Sequence, residues 1–258
     1  MSALDVLAAE LVEHRRTGEL ACRCDRDIGA LSLDEAYAVQ DRVVAALLAD
    51  GGATAGRKVG CTSRAVQSQF GLTQPVTARL LRPHVHDSGV TLRADDYLGC
   101  AVEAELVLTL GATPDPGDLS DAALAACVAS VSAGVEVHHY VFPHGSPTSQ
   151  ELIATNAIHG AVVRAPEGWP PAVDLAIDGV GLWVNGALAA SGIGADILGV
   201  GPWESLRWLV RQLASRGEQL QPGELVLPGS AVPLVRVGAG DLVEARFTSF
   251  GSCLVTFS

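Results

Sequence analysis

The stretch Val102-Glu103-Ala104-Glu105-Leu106-Val107-Leu108 sets two acids two residues apart in an otherwise apolar run. On a strand, residues i and i+2 share a face, so Glu103 and Glu105 point the same way and Ala104 points opposite. Two carboxylates on one apolar face repel, and one takes up a proton unless a cation intervenes. A hard divalent cation such as Mg2+ resolves this, because it takes a few carboxylates and completes its shell with water or substrate oxygens. A solvent-facing strand with alternating charge carries the same pattern, and this stretch alone does not separate the two. Gly134-Val135-Glu136-Val137 holds a further acid among apolar residues. Buried acids are rare unless paired or metal-bound, so Glu136 is a candidate third ligand, or else a surface residue beside His138 and His139. Of the two histidines, only His138 shares a strand face with Glu136. Histidine ligands would suit a softer metal such as zinc or iron; a supporting or substrate-contacting role is the stronger reading. Lys58 is the only lysine among 17 basic residues. A compact ammonium with a tunable pKa can hold a carboxylate or keto oxygen, or move a proton. The plainer account is one surviving surface lysine.

These side chains need elements to hold them. Apolar spacing and end signals predict helices over 3–16 and 33–48, the second opened by Ser32 with Glu35 three residues on. A short helix is expected over 63–70, a linker over 79–87, and strands over 89–92 and 100–109. A helix over 122–131 should precede a strand over 134–140, and a loop should span 143–149. The remainder reads as mostly β, at 174–180, 182–184, 224–227, 242–247 and 253–257. Asn185-Gly186 marks a hairpin turn there, and one amphipathic helix interrupts over 203–215. Without regular βα alternation, a doubly wound sheet or a TIM barrel is excluded.

The chain has 258 residues, 48% of them hydrophobic and 18% charged, with a formal net charge of −12. That suits a globular chain able to bury a large core and excludes disorder. No Lys/Arg cluster offers a surface to nucleic acid, and no apolar run is long enough to span a membrane. The acidic start, Met1-Ser2-Ala3-Leu4-Asp5, is unlike a signal peptide, so a cytoplasmic location is expected. The six cysteines are scattered and read as free thiols. Cys22-Arg23-Cys24 lacks the second pair that a zinc site needs.

Several segments carry a family likeness. They are Ala36-Tyr37-Ala38-Val39-Gln40, Lys58-Val59-Gly60-Cys61-Thr62-Ser63, Val102-Glu103-Ala104-Glu105 and Ala154-Thr155-Asn156-Ala157, then Val184-Asn185-Gly186, Leu227-Pro228-Gly229-Ser230 and Phe250-Gly251-Ser252. By their order and spacing the chain resembles, almost end to end, the 2-keto-4-pentenoate hydratase and 4-oxalocrotonate decarboxylase group, within the fumarylacetoacetate hydrolase superfamily. The resemblance implies an α+β, mostly β fold, a mixed β roll or barrel with an N-terminal helical segment. Residues 1–75 would form that segment and carry the Lys58 loop, and residues 76–258 the catalytic domain. It implies Mg2+ or Mn2+ on Glu103, Glu105 and Glu136, chelated by the 2-oxo and carboxylate oxygens of a small anionic 2-keto acid. Lys58 and Glu105 would be catalytic, and Lys58, Ser63, Asn156 and Ser230 would contact substrate. A homo-oligomer is expected from the likeness and the apolar composition.

The implied reaction is hydration of a 2-hydroxy-2,4-dienoate. Decarboxylation of a 4-oxalocrotonate-like acid shares the same metal and lysine, and a carbon–carbon hydrolase, lyase or isomerase on an acylpyruvate-like or biosynthetic substrate is a further alternative. A binding protein that kept the fold without catalysis is disfavoured by the retained acids and lysine. The chain also departs from the family. An Asp-Ser-Arg run usually follows the third acid, and here His139 takes the Asp position and Val141 that of the Arg. His139 is either a substituted supporting residue or an acid/base group near neutral pH. Thr155 replaces another Asp, His159 stands where small hydroxyl residues are common, and Val76-Thr77-Ala78 replaces Asp-Phe-Gly.

Overall fold

Two serines start the chain's first helices, α1 (Ala3–Thr17) and α2 (Leu33–Leu47). Each accepts a hydrogen bond from the N–H three residues on, and that residue's carboxylate (Asp5 or Glu35) accepts one from the serine's own N–H. Leu7 and Leu11 of α1 pack on Val39 and Val43 of α2. The computed structural model describes residues 1–18, 28–49, 51–140, 147–171 and 174–258. Cys22, Cys24, Val141 and most of the loop expected over 143–149 lie outside the described residues.

The chain continues through β1 (Thr54–Gly60), α3 (Arg64–Gln69), β2 (Val76–Leu81), β3 (Val85–Asp87), β4 (Val90–Leu92), β5 (Ala101–Leu110), α4 (Asp121–Cys127) and β6 (Val128–His138). Then come α5 (Ser149–Ala154), β7 (His159–Arg164), β8 (Gly179–Val184), β9 (Ala187–Ile193), α6 (Pro202–Ser215), β10 (Leu225–Leu227), β11 (Val235–Arg236), β12 (Leu242–Phe247) and β13 (Gly251–Phe257). One mixed sheet runs β2-β1-β10-β5-β6-β7-β3, with β11 also paired to β5; the other runs β4-β13-β12-β8-β9. The expected α+β, mostly β architecture with N-terminal helices is present. Both sheets are open, so the barrel alternative is corrected to two packed sheets.

Strand alternation decides what lies where. Val102, Ala104, Leu106 and Leu108 of β5, with Val131, Ala133, Val135 and Val137 of β6, join Leu182, Val243 and Val255 of the second sheet in the main core. Glu103, Glu105 and Val107 must therefore face the other way. On that side Val107 packs with Ala55, Leu80, Val162 and Leu227, and Ala36 and Tyr37 of α2 pack with Val76, Ala78 and Ile153. The first sheet is thus covered on both faces.

Several expected elements need correction. Residues 128–131, expected as the end of a helix, are strand, because Val128, Ser130 and Val131 pair with Leu110, Thr109 and Leu108. Strand pairing overrides the helical spacing of small residues. The expected linker over 79–87 contains the end of β2 and all of β3, and the expected strand over 174–180 begins with a short 3-10 turn, Leu175–Ile177. The hairpin turn is present, with Asn185 at φ 52° and Gly186 at φ 79°. Cys61, Cys100, Cys127 and Cys253 are free thiols. Among the described residues no helix is long and apolar enough to cross a membrane.

Candidate active site

Antiparallel pairing of β5 with β6 sets Glu103 directly opposite Glu136, Glu105 opposite Gly134, and Ala101 opposite His138. Opposed residues share a face, so three carboxylates and an imidazole emerge on the side away from the main core. Small partners make the room. A Cβ at Gly134 would lie 2.5 Å from the Val107 side chain, and Ala101 offers only a methyl group beside His138. Lys58 arrives from β1, two strands away from β5, and its Nζ lies 2.7 Å from Glu136 Oε1.

All but Glu103 of this group are buried: Lys58 is 3% exposed, Glu105 2%, Glu136 0% and His138 2%. Glu136 Oε1 also lies 2.8 Å from His159 Nδ1. Glu105 Oε2 accepts the Gly229 N–H at 2.9 Å. Gly229 has φ +110°, and a Cβ there would meet Thr62 at 2.5 Å, so only glycine brings this N–H to the acid.

The electrostatics divide the acids. Burial works against an ionised Glu136, but His138, Lys58 and His159 outweigh it and hold its carboxyl below the usual range. Burial raises Glu105 well above that range, and the charges of Glu136 and Glu103 push it further. Burial disfavours the Lys58 ammonium, yet Glu136, Glu105 and Glu103 together keep its pKa raised. Burial lowers His159 to about 4 against the pull of Glu136. One lysine therefore faces three acids, and a further cation would relieve the excess charge.

A divalent ion fits here. Ligand atoms from Glu103, Glu136 and His138 lie within 4.8 Å of one another. Glu136 Oε2 and both ring nitrogens of His138 are buried without a hydrogen-bond partner among the described residues, and such orphaned atoms call for an explanation. Glu105 is not in that compact group but stands beside it, lining the same cavity.

The cavity is about 500 Å3. Lys58, Ser63, Glu103, Glu105, His138 and Ser230 all line it, and its walls are largely apolar, including Phe70, Val76, Leu152, Ile158 and Val232. Ser63 also caps α3 by accepting the Val66 N–H. The Ser230 hydroxyl is occupied locally, donating toward the Ala104 and Val232 carbonyls at 3.0 and 2.9 Å.

Glu136 is fully buried and does not itself line the cavity, and two further expected site residues are not brought to it. His139 falls on the opposite face from His138, as strand alternation requires. Its Nδ1 accepts the Leu98 N–H at 3.1 Å and its ring lies 5.5 Å from that of Tyr97. Burial, aided by positive neighbours, lowers its pKa to about 2, and it is not among the residues lining the cavity. Asn156 is fully buried and binds backbone, its Oδ1 accepting the Arg79 N–H and its Nδ2 donating to the Arg79 carbonyl, both at 2.9 Å. It braces β2 and does not line the cavity.

Sequence reasoning gave no role to His159. Its ring reaches Glu136 because β7 pairs with β6 and sets it opposite His138. A histidine at the first position of a strand otherwise reading Gly-Ala-Val-Val was the available signal. The Ala36-to-Gln40 segment proves to be a scaffold. Tyr37 Oη accepts the Thr77 N–H, and Gln40 donates to the Thr77 and Ile153 carbonyls.

No family model matches the chain. It is 32% identical over 256 residues to the TodF product hydratase of Pseudomonas putida, covering 97% of this chain and 94% of that one. It is 28% identical over 228 residues to the 2-keto-4-pentenoate hydratase of Paraburkholderia xenovorans, covering 88% and 84%. The 4-oxalocrotonate decarboxylase of Pseudomonas putida G7, solved with magnesium and adipate, superimposes with a TM-score of 0.91 at 24% identity, over 99% of this chain and 97% of that one. The fumarylpyruvate hydrolase of Pseudomonas aeruginosa, solved with Mn2+ and pyruvate, does so with 0.58 at 18% identity, over 78% and 88%. The fold is that of the fumarylacetoacetate hydrolase superfamily. Within it, the chain belongs to the 2-keto-4-pentenoate hydratase and 4-oxalocrotonate decarboxylase family.

Proposed function

We propose that this chain is a divalent-metal-dependent hydratase that adds water to a 2-hydroxy-2,4-dienoate by way of its 2-keto-3-enoate tautomer. The observation that carries this reading is Lys58 lining one cavity with Glu103 and Glu105 while it pairs with the buried Glu136, in a chain similar along nearly its whole length to a hydratase. Glu103, Glu105 and Glu136 are the residues proposed to hold Mg2+ or Mn2+. A divalent ion held by them would supply Lewis-acid polarisation of the 2-oxo group and would stabilise the enolate-like charge.

The chain's own groups do the rest. The Lys58 ammonium, kept charged by three acids, holds the substrate's carboxylate end. Ser63 and Ser230 line the same cavity. The apolar walls seat the diene and limit stray water. Tautomerisation moves the proton of the 2-hydroxyl to C5. Water then adds its oxygen at C4 and a proton goes to C3. Glu105, which lines the same cavity, is the carboxylate proposed to exchange these protons.

The test uses purified, chelator-stripped protein with 2-hydroxypenta-2,4-dienoate, with and without Mg2+. Loss of dienol absorbance and a mass gain of one water, only with metal, is the expected result. Release of carbon dioxide from 4-oxalocrotonate, or cleavage of an acylpyruvate into two products, would replace this reading with one of its rivals. We also infer a cytoplasmic homo-oligomer. The exposed Ile177, Leu188, Ile193 and Val200, on or beside edge strand β9, support self-association, and sedimentation analysis would test it.

A further inference from the structure

Building on the 2-keto acid reading above, the geometry points to the class of substrate this chain prefers. The wall of the cavity contributed by α3, α5 and residues 232–234 takes an uncharged hydrocarbon substituent on C5 of the dienoate and rejects a second carboxylate. The specificity-determining side chains are Val66, Phe70, Leu152, Val232 and Leu234, all of which line the cavity.

Size is the first argument. At about 500 Å3 the cavity falls within the roughly 300–1,000 Å3 of sites that enclose drug-sized ligands, so an unsubstituted dienoate leaves much of it unfilled. The wall itself is apolar by construction. Helix α3 buries none of its residues in a core. Val66 and Phe70 stand four apart, linked by the hydrogen bond from the Phe70 N–H to the Val66 carbonyl at 3.1 Å, and so share one side of the helix. Both are half-buried and both line the cavity. The Ser63 cap holds one end of the segment, and the Gln67 side chain, donating to the Cys61 carbonyl at 2.8 Å, ties it to the end of β1. A hydrocarbon tail would cover this apolar surface and gain by doing so.

Charge argues against the diacid. Among the described residues Lys58 is the sole lysine or arginine lining the cavity, and it already pairs with Glu136 and serves the C1 carboxylate. The lining carboxylates are Glu103, Glu105 and the exposed Asp196. Asp196 is fixed by the Ile193 N–H at 3.0 Å, and its turn is tied to β1 by the Leu198 N–H, which donates to the Thr62 carbonyl at 2.8 Å. A second substrate carboxylate would meet these acids and no free cation, and burying an unpaired charge is costly. The same reasoning sets 4-oxalocrotonate-like diacids apart from the substrate.

The experiment gives full-length, Mg2+-loaded protein a panel of 2-hydroxy-2,4-dienoates carrying hydrogen, methyl, ethyl, isobutyl or carboxymethyl on C5. The isobutyl and carboxymethyl groups match in shape and differ in charge. Expected is a kcat/KM that rises with tail length, by up to about fourfold per methylene, and an isobutyl acid preferred over the carboxymethyl acid by at least about tenfold. Val66→Lys, which adds an ammonium to the wall, should lower that isobutyl-to-carboxymethyl ratio, and Phe70→Ala should flatten the rise with tail length. Each ratio is taken within one protein, so a smaller folded fraction does not alter it. Calorimetric binding of the saturated 2-oxo acids with the same tails reads the ranking without turnover. Hydration with no gain from the tail, or with the carboxymethyl acid used as well as the isobutyl one, overturns this inference and leaves the hydratase reading standing. The expected ranking in binding with no dienoate hydrated upholds the inference and overturns the hydratase reading.

Discussion

Glu103 on β5 and Glu244 on β12 look alike as sequence, each an acid with an apolar residue before it and an alanine after it. Their surroundings differ. Strand β12, in Leu242-Val243-Glu244-Ala245-Arg246-Phe247, alternates between a buried and a more open face. Glu244 pairs with Arg246 at 2.7 Å on that open face, and the Arg246 guanidinium lies 4.6 Å from the centre of the Trp183 ring. Strand β5 has no open face, since its even positions meet the second sheet and its odd positions are buried too, apart from the half-buried Glu103 and Thr109. A charge on a one-sided strand is met by water. A charge on a two-sided strand must be met by another residue or an ion, and that requirement makes the β5–β6 pair a site.

The comparison can be broken most sharply at Lys58. Lys58→Met should strip a directly paired counter-charge from fully buried Glu136. Losing one partner of a buried pair costs about 3–5 kcal/mol, and turnover should disappear as well. Denaturant unfolding and a dienol assay, run where the variant is still folded, check both effects. If Lys58→Met unfolds no more easily than wild type, the two sheets do not differ in the way described. Removing divalent metal should abolish turnover and lower the unfolding midpoint, because a ligand bound only to the folded state stabilises it. Re-adding Mn2+ should restore both.

A smaller effect is expected at Asn156. Asn156→Ala leaves the Arg79 N–H and carbonyl unpaired, a loss of about 2 kcal/mol. The KM of the folded fraction should not move, and a raised KM would return Asn156 to the substrate site. Arg246→Ala on the open face should change stability by less than about 1 kcal/mol, as exposed pairs do. The least effect lies at α1. Hydrogen bonds from Arg42 and Ser2 lower the Asp5 carboxyl to about 2, so the folded pKa is below the unfolded one. Its contribution is present above the unfolded pKa, about 3.9, and is lost as pH falls through about 2. Asp5→Asn should flatten the acid limb of the stability curve in that window, as followed by circular dichroism.

Much of the β5–β6 site was legible because period-2 spacing fixes which side chains share a face. That rule joined Glu103 to Glu105 and His138 to Glu136, and it also sets His139 apart. What spacing could not supply was the pairing between strands. His159 meets Glu136 only through the register of β6 with β7, and Lys58 crosses β10 to arrive. The motif around Asn156 points to a substrate contact, whereas its amide bonds to β2 depend on a turn that no local pattern announces. The helix expected through Val131 failed for a related reason. Small residues from Ala122 onward suit either structure locally, and ten paired positions with β5 decide for strand from Val128 on.

That turn has a further consequence. Asn156, Ala157 and Ile158 follow one another at φ 59°, 48° and 54°, a left-handed run costing roughly 1–2 kcal/mol per non-glycine residue. The Ala157 carbonyl stands 3.4 Å from Lys58 Nζ. Two kinds of selection would therefore part company at this position. A library screened only for surviving heat should collect glycine at 157, which relaxes the backbone. One screened for product should reject it, because the freed carbonyl no longer marks where the ammonium stops.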